Sequence, residues 1–211
     1  ARLSGTWQNL PLSMIADAQL EKTGNVKVQS IRLTQGDNQM NVQGNLFSKQ
    51  ALESIALLGV NFPDKREKHA SSLDFSIDLN ALEDIFPDLG GQIYAKGNLS
   101  GAIETPQIVM QANARELTAA GISLENMLID FSVNMANKLS SKEQVSVSNL
   151  FVGGQNIPRL NLQLSGDETE QSLRMSIPQG EYITEQFFKG QLNVENTRWS
   201  GKWLEGKLVS S

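Results

Sequence analysis

His69 is the only histidine in these 211 residues, and histidine is the one side chain whose unperturbed pKa lies near neutrality. It ends the polar run Lys65-Arg66-Glu67-Lys68-His69, followed by two serines. Cysteine is absent, which removes thiolate catalysis, Cys-ligated metal and any disulfide framework. The acids are no better placed for chemistry. Asp74 and Asp78 share a strand face but stand about 13 Å apart, too far to share a proton or one metal ion. Glu83-Asp84 falls where a helix would begin, a place where negative charge suits the helix dipole. Asp167-Glu168-Thr169-Glu170 reads as a solvated turn and lacks the ligand intervals of a calcium loop. There is no HExxH pair, no GxxxxGK[ST] phosphate loop and no GxGxxG between strand and helix. Gly97-Asn98-Leu99-Ser100-Gly101 reads as a hairpin turn rather than a phosphate cradle. The expectation is a protein that is not an enzyme, with no cofactor and no metal.

Composition narrows the partners. A net charge of -5 and a pI near 5.0 argue against nucleic acid, since phosphate binding needs a concentrated positive field. The single basic run, Lys65 to Lys68, is broken by an acid and reads as a solvated loop. Asn98-Leu99-Ser100 matches a glycosylation sequon, a three-residue pattern that chance supplies often. The longest helix-like apolar segment, Ala51 to Val60, is far short of the roughly 20 residues of a membrane span. The chain opens on Ala1-Arg2-Leu3-Ser4-Gly5 and stops at Leu208-Val209-Ser210-Ser211 in strand-like pattern, as a piece of something longer would.

The dominant period is two. Leu12, Met14, Ala16, Ala18 and Leu20 alternate with other residues, as do Phe75, Ile77 and Leu79. Met127, Ile129, Phe131, Val133 and Met135 interleave with Asp130, Ser132 and Asn134. Leu160, Leu162 and Leu164, then Leu173, Met175 and Ile177, repeat the pattern. Each such segment gives one apolar and one wet face, which suits antiparallel sheets. Turn residues punctuate the strands at Lys22-Thr23-Gly24-Asn25, Gln35-Gly36-Asp37-Asn38, Gly153-Gly154 and Ser165-Gly166-Asp167-Glu168. Between Val26/Val28 and Ile31/Leu33 the phase slips by one, which a bulge near Gln29-Ser30 would correct. Two segments carry helical spacing: 49–58, capped by Ser48 and stopped by Gly59, and 80–86, where Asn80 and Glu83 form a loose capping box before Pro87. Leu82, Ile85, Phe86 and Leu89 would be the underside of the second. Val42-Gln43-Gly44-Asn45-Leu46 echoes Ala95-Lys96-Gly97-Asn98-Leu99.

A one-sided sheet must cover its apolar face with something. On periodicity alone a closed sandwich filled by its own side chains is the simpler solution. Small inward residues (Ala16, Ala18, Ala95, Ala112 and Ala114) favour an interior with room in it. Trp199 and Trp203, with Gly201 between them on one strand face, fit core packing or a lipid-contacting surface.

Two stretches carry a family resemblance. Phe86-Pro87-Asp88-Leu89-Gly90-Gly91, Lys96-Gly97-Asn98-Leu99-Ser100-Gly101 and Glu104-Thr105-Pro106-Gln107-Ile108 resemble the repeating unit of the TamB family. Phe86 stands where the unit commonly has Leu. The tail, from Leu173-Ile177 through Gly190-Gln191-Leu192-Asn193-Val194 to Trp199-Ser200-Gly201-Lys202, is similar to that family's ending of a repeat. The first seventy residues match less sharply. The resemblance implies residues 1–211 as one continuous segment of an elongated antiparallel sheet curled into a trough, with an apolar interior and one or two short helical plugs. It implies a periplasmic location in a Gram-negative bacterium, within a parent anchored in the inner membrane. The implied function is a groove for phospholipid acyl chains passing between inner and outer membranes. The alternative is a chaperone-like module assisting outer-membrane barrel insertion with TamA. The groove candidates are Phe75, Ile77, Leu79, Ile93, Ile108, Met110, Met127, Ile129, Phe131, Val133, Leu160, Leu162 and Leu164.

Overall fold

Alternation at period two produces strands throughout. The computed structural model of the chain describes residues 1–21, 25–46, 71–102, 105–135, 140–167, 170–179, 182–193 and 198–210. Its strands are β1 (Arg2–Trp7), β2 (Leu10–Leu20), β3 (Val26–Gln35), β4 (Asn38–Leu46), β5 (Ser71–Leu79), β6 (Leu89–Ala102) and β7 (Thr105–Ala119). They continue as β8 (Ile122–Asn134), β9 (Ser140–Val152), β10 (Gln155–Asp167), β11 (Gln171–Gln179), β12 (Tyr182–Asn193) and β13 (Arg198–Ser210). All thirteen belong to one sheet, in sequence order, each antiparallel to the next. β1 and β13 are its edges and do not pair, so the sheet is open rather than a barrel.

The simpler solution from periodicity, a closed sandwich, is therefore not the one adopted. No second sheet covers the apolar face among the described residues. The sheet curls instead. A flat sheet would expose both faces alike, yet β7 and β9 alternate between exposed and half-buried positions. On the apolar side Ala95, Ala114, Val133 and Val147 are 2–7% exposed, whereas Tyr94, Val109 and Leu128 on the other side are 46–48% exposed. Curvature toward the apolar side makes this difference. Toward β1 the trough opens out, and Leu3 and Trp7 are well exposed.

The bulge expected near Gln29-Ser30 is present. Asp17 faces Ser30 and Ala18 faces Val28, so Gln29 is the extra residue, and Val28 and Ile31 return to one face. Gly36-Asp37 and Gly153-Gly154 make two-residue hairpins, and both Gly153 and Gly154 take the positive φ that such turns need. Gly97 to Gly101 is not a turn. It lies within the fourteen residues of β6, and Gly97 is there for a close approach: a Cβ would stand 2.5 Å from the Phe75 ring on β5. The echo between the two Gly-Asn-Leu segments resolves into β4 and β6, the two neighbours of β5.

The helix expected over 80–86 is shorter than its sequence suggests. Only Leu82–Asp84 forms a 3-10 turn, preceded by Ala81 with no side-chain cap. Asn80 does not complete a capping box; its amide donates to the Asp37 carbonyl at 3.0 Å instead. The segment works as a strap across hairpin tips. Asn38 donates to the Ala81 carbonyl at 2.8 Å and accepts from the Ala81 amide at 3.0 Å. Gln35 bridges the carbonyls of Trp7 and Asp84, and Gln8 reaches the Ile85 carbonyl. Leu82 anchors the strap with 1% exposure, while Phe86 and Leu89, expected on the same underside, are exposed. The expected helix over 49–58, the turn at 22–24, His69 and the basic run at 65–68 lie outside the described residues.

Candidate functional site

Residues directly opposite each other on antiparallel strands share a face, so the registers trace rows across the trough. One row runs Leu3, Met14, Leu33, Met40, Ile77, Ala95, Ala112, Ile129, Val145, Leu162, Met175, apolar on eleven successive strands. A parallel row runs Ala16, Ile31, Val42, Phe75, Gly97, Met110, Phe131, Glu143, Leu164, Leu173, Phe188. To one side lie Leu79, Ile93, Ala114, Met127, Val147 and Leu160. To the other lie Leu73, Leu99, Ile108 and Val133, after which the row turns polar with Ser141, Gly166 and Gln171.

All thirteen residues named from the sequence thus fall on one face, brought together from β5, β6, β7, β8 and β10. Twelve are half-buried and Val133 is buried. Sequence reading passed over β9, whose Val145 and Val147 complete the lining between β8 and β10. The polar run Lys142-Glu143-Gln144 hides the alternation there. The signal was nonetheless available: Val145 and Val147 set the inward phase, and that phase also takes in Glu143. Trp199 and Trp203 stand opposite Leu192 and Phe188 in the register, but their side chains lie outside what the structure describes.

The outer face is built differently. Cross-strand polar pairs cover it: Arg32 with Asn41, Asn98 with Asp74, Gln111 with Asp130, and Ser146 with Asn161, at 2.8–3.1 Å. Arg174 lies over the Phe187 ring, 4.6 Å from its centre, and 3.6 Å from the Glu185 carboxylate. These exposed pairs contribute little to stability but keep that face wet. Asp74 and Asp78 belong to it, and Asp74 is taken up by Asn98.

Glu143 brings a carboxylate into the inward rows. It is the one ionisable side chain in the inward rows among the described residues, facing Phe131 on β8 and Leu164 on β10. Its Oε2 is out of water and has no hydrogen-bond partner there. Desolvation raises its pKa above the ordinary value of 4.5, opposed by a hydrogen bond from Ser141. No group of three or more His, Asp or Glu side chains placed to hold a metal occurs among the described residues. No described helix is long and apolar enough to cross a membrane. What the arrangement offers chemically is a broad apolar inner surface, interrupted at Glu143, with an outer face of cross-strand polar pairs and scattered apolar side chains.

A family model described as the N-terminal domain of TamB matches residues 65–211. It begins close to where the motif resemblance sharpens. The translocation and assembly module subunit TamB of Haemophilus influenzae is 25% identical over 205 residues, covering 95% of this chain. The chain spans 14% of that relative's length. No solved structure matches the chain.

Proposed function

The chain belongs to the TamB family, and on that premise we propose that its inner face is a section of a hydrophobic conduit for phospholipid acyl chains. In this reading the conduit crosses the periplasm of a Gram-negative bacterium between inner and outer membranes, in a parent anchored in the inner membrane. One observation carries it: the row from Leu3 to Met175 stays apolar on eleven successive strands of a sheet whose trough nothing closes among the described residues. A soluble sheet ordinarily buries such a face against a second layer. Hydrocarbon from outside the chain can take that role. Each CH₂ leaving water gains about 0.8 kcal/mol, so two acyl chains gain tens of kcal/mol over their length. Along the unbroken row the lining is apolar and unpatterned in the strand-to-strand direction, so no single contact there holds a chain in place and sliding costs little. Headgroups stay at the open rims, in contact with water.

A charge placed in the central rows tests this. Ile129→Arg would interrupt the unbroken row while leaving the backbone ladder intact, and Phe131→Asp would set a second carboxylate beside Glu143 in the row that residue already breaks. The expected outcome in full-length parent protein is loss of lipid delivery and of outer-membrane integrity at wild-type protein levels. Normal delivery with a stably present Ile129→Arg protein overturns the conduit reading.

A second reading uses the same apolar inner face, which could shelter an unfolded outer-membrane strand as readily as acyl chains. In this reading the module assists barrel insertion together with an outer-membrane partner such as TamA. Strand-dependent complexes with barrel precursors, formed without bound lipid, would favour it.

A further inference from the structure

The inner face carries one feature that a simple grease track does not need. The row through Phe75, Met110 and Phe131 is interrupted at Glu143 and resumes at Leu164. Glu143 is the second inward position from the end of β9, about 7 Å in from the rim at Ser141. Around it the rim itself is polar: Ser141, Gly166 and Gln171 follow the apolar Val133. The faces packed against the carboxylate are Phe131 from β8, Leu164 from β10, and Ser141 and Val145 on its own strand. No Lys, Arg or His faces it among the described residues. Lys142 is on the outward phase of β9, and Lys189 is engaged with Glu170.

A carboxylate oxygen shielded from water and lacking a donor calls for a cation or a proton. Position decides between bland and specific roles. Glu143 shares the row of Phe131 and Leu164, so hydrocarbon lying there meets a carboxylate. One step below a polar rim, it sits where the head of a lipid would rest while its acyl chains lie on Val145, Ile129 and Leu162.

We propose that Glu143 is a headgroup-binding position that takes the ammonium of an amine-bearing phospholipid, making this part of the trough selective for that headgroup class. The proposal rests on the conduit reading above and adds headgroup selection to it. The ammonium donates to the unpartnered Oε2 and neutralises the carboxylate, and Ser141 retains its hydrogen bond. A lipid with a glycerol headgroup has no cation to offer and leaves the carboxylate desolvated and unpaired. Charge complementarity also favours lipid over a polypeptide lysine, since the aliphatic rows that continue from Glu143 suit two acyl chains.

The test offers the protein equimolar vesicles of phosphatidylethanolamine and phosphatidylglycerol with identical acyl chains, then measures the lipid bound. Wild type should be enriched in the ethanolamine lipid by about two- to fivefold, the range for a partly shielded charge pair. Glu143→Gln should bring the ratio near one, and Glu143→Lys should reverse the preference. Carbodiimide treatment of loaded wild type should join the lipid amine to the peptide containing Glu143. The same lipid ratio in wild type and Glu143→Gln overturns the headgroup role and leaves the conduit standing. Coupling of Glu143 to a polypeptide lysine instead of lipid also overturns it. Wild type that binds neither lipid overturns the conduit reading and this inference with it.

Discussion

Single residues decide how the trough is lined and where it is interrupted. Phe75 can lie across β6 because Gly97 has no Cβ to meet its ring, so the repeated Gly-Asn-Leu segment is a packing device rather than a turn. Its pattern was visible in the sequence, but its purpose was not, because the partner ring comes from a neighbouring strand. Glu143 was hidden for the opposite reason: its polar neighbours Lys142 and Gln144 make the segment read as uniformly wet. Only the register with Phe131 and Leu164 reveals that it faces inward. Its raised pKa fixes the sign of a stability effect. The unfolded chain ionises first, so stability contributed at acid pH is lost as pH rises from the ordinary carboxylate range through the raised folded value. Glu143→Gln should therefore be more stable than wild type at neutral pH, with the difference vanishing at acid pH. Urea unfolding midpoints across this range check it, and a pH-independent difference contradicts it.

At the scale of elements, the strands were legible and their connections were less so. Strict alternation in β5, β8, β10 and β11 gave both strand identity and inward phase, and the slip at Gln29 gave the bulge. The 80–86 segment misled because helical spacing of Leu82, Ile85 and Phe86 is also what a strap needs to seat one anchor. Tertiary hydrogen bonds from Asn38 and Gln35 fix that strap, and these partners lie more than forty residues away. The left-handed backbones at Glu116 and Asn149, at one level of β7 and β9, had no sequence signal because neither is glycine. Asn149 donates to the Glu125 carboxylate between them. Since the strap ties β1–β4 to β6, its anchor carries weight beyond its length. Leu82→Ala should cost about 2–5 kcal/mol. Hydrogen exchange should show the amides of Ala81, Asp84 and Ile85 losing protection while the β7–β8 ladder keeps its own. Unchanged protection at Ala81 would contradict the role given to the strap.

The whole molecule is a sheet with two unlike faces and no second layer among the described residues. Thirteen strands at about 4.8 Å spacing extend about 58 Å between the edges along the curled sheet. Sequence periodicity predicted the two faces but not what covers the inner one, because a closed sandwich and an open trough share the same alternation. Strand order favours the trough: among the described residues all thirteen strands belong to one sheet and none crosses the inner face as a lid. The family resemblance pointed to the trough, and the open sheet agrees with it. The central claim is that the inner face meets acyl chains in the cell. Site-specific photocrosslinking in the full-length parent tests it most directly, with the crosslinker at Phe131 on the inner face and at Ser132 on the outer. Lipid adducts at position 131 and none at 132 are the predicted result. Silence at both positions, or protein adducts alone at 131, would contradict the conduit.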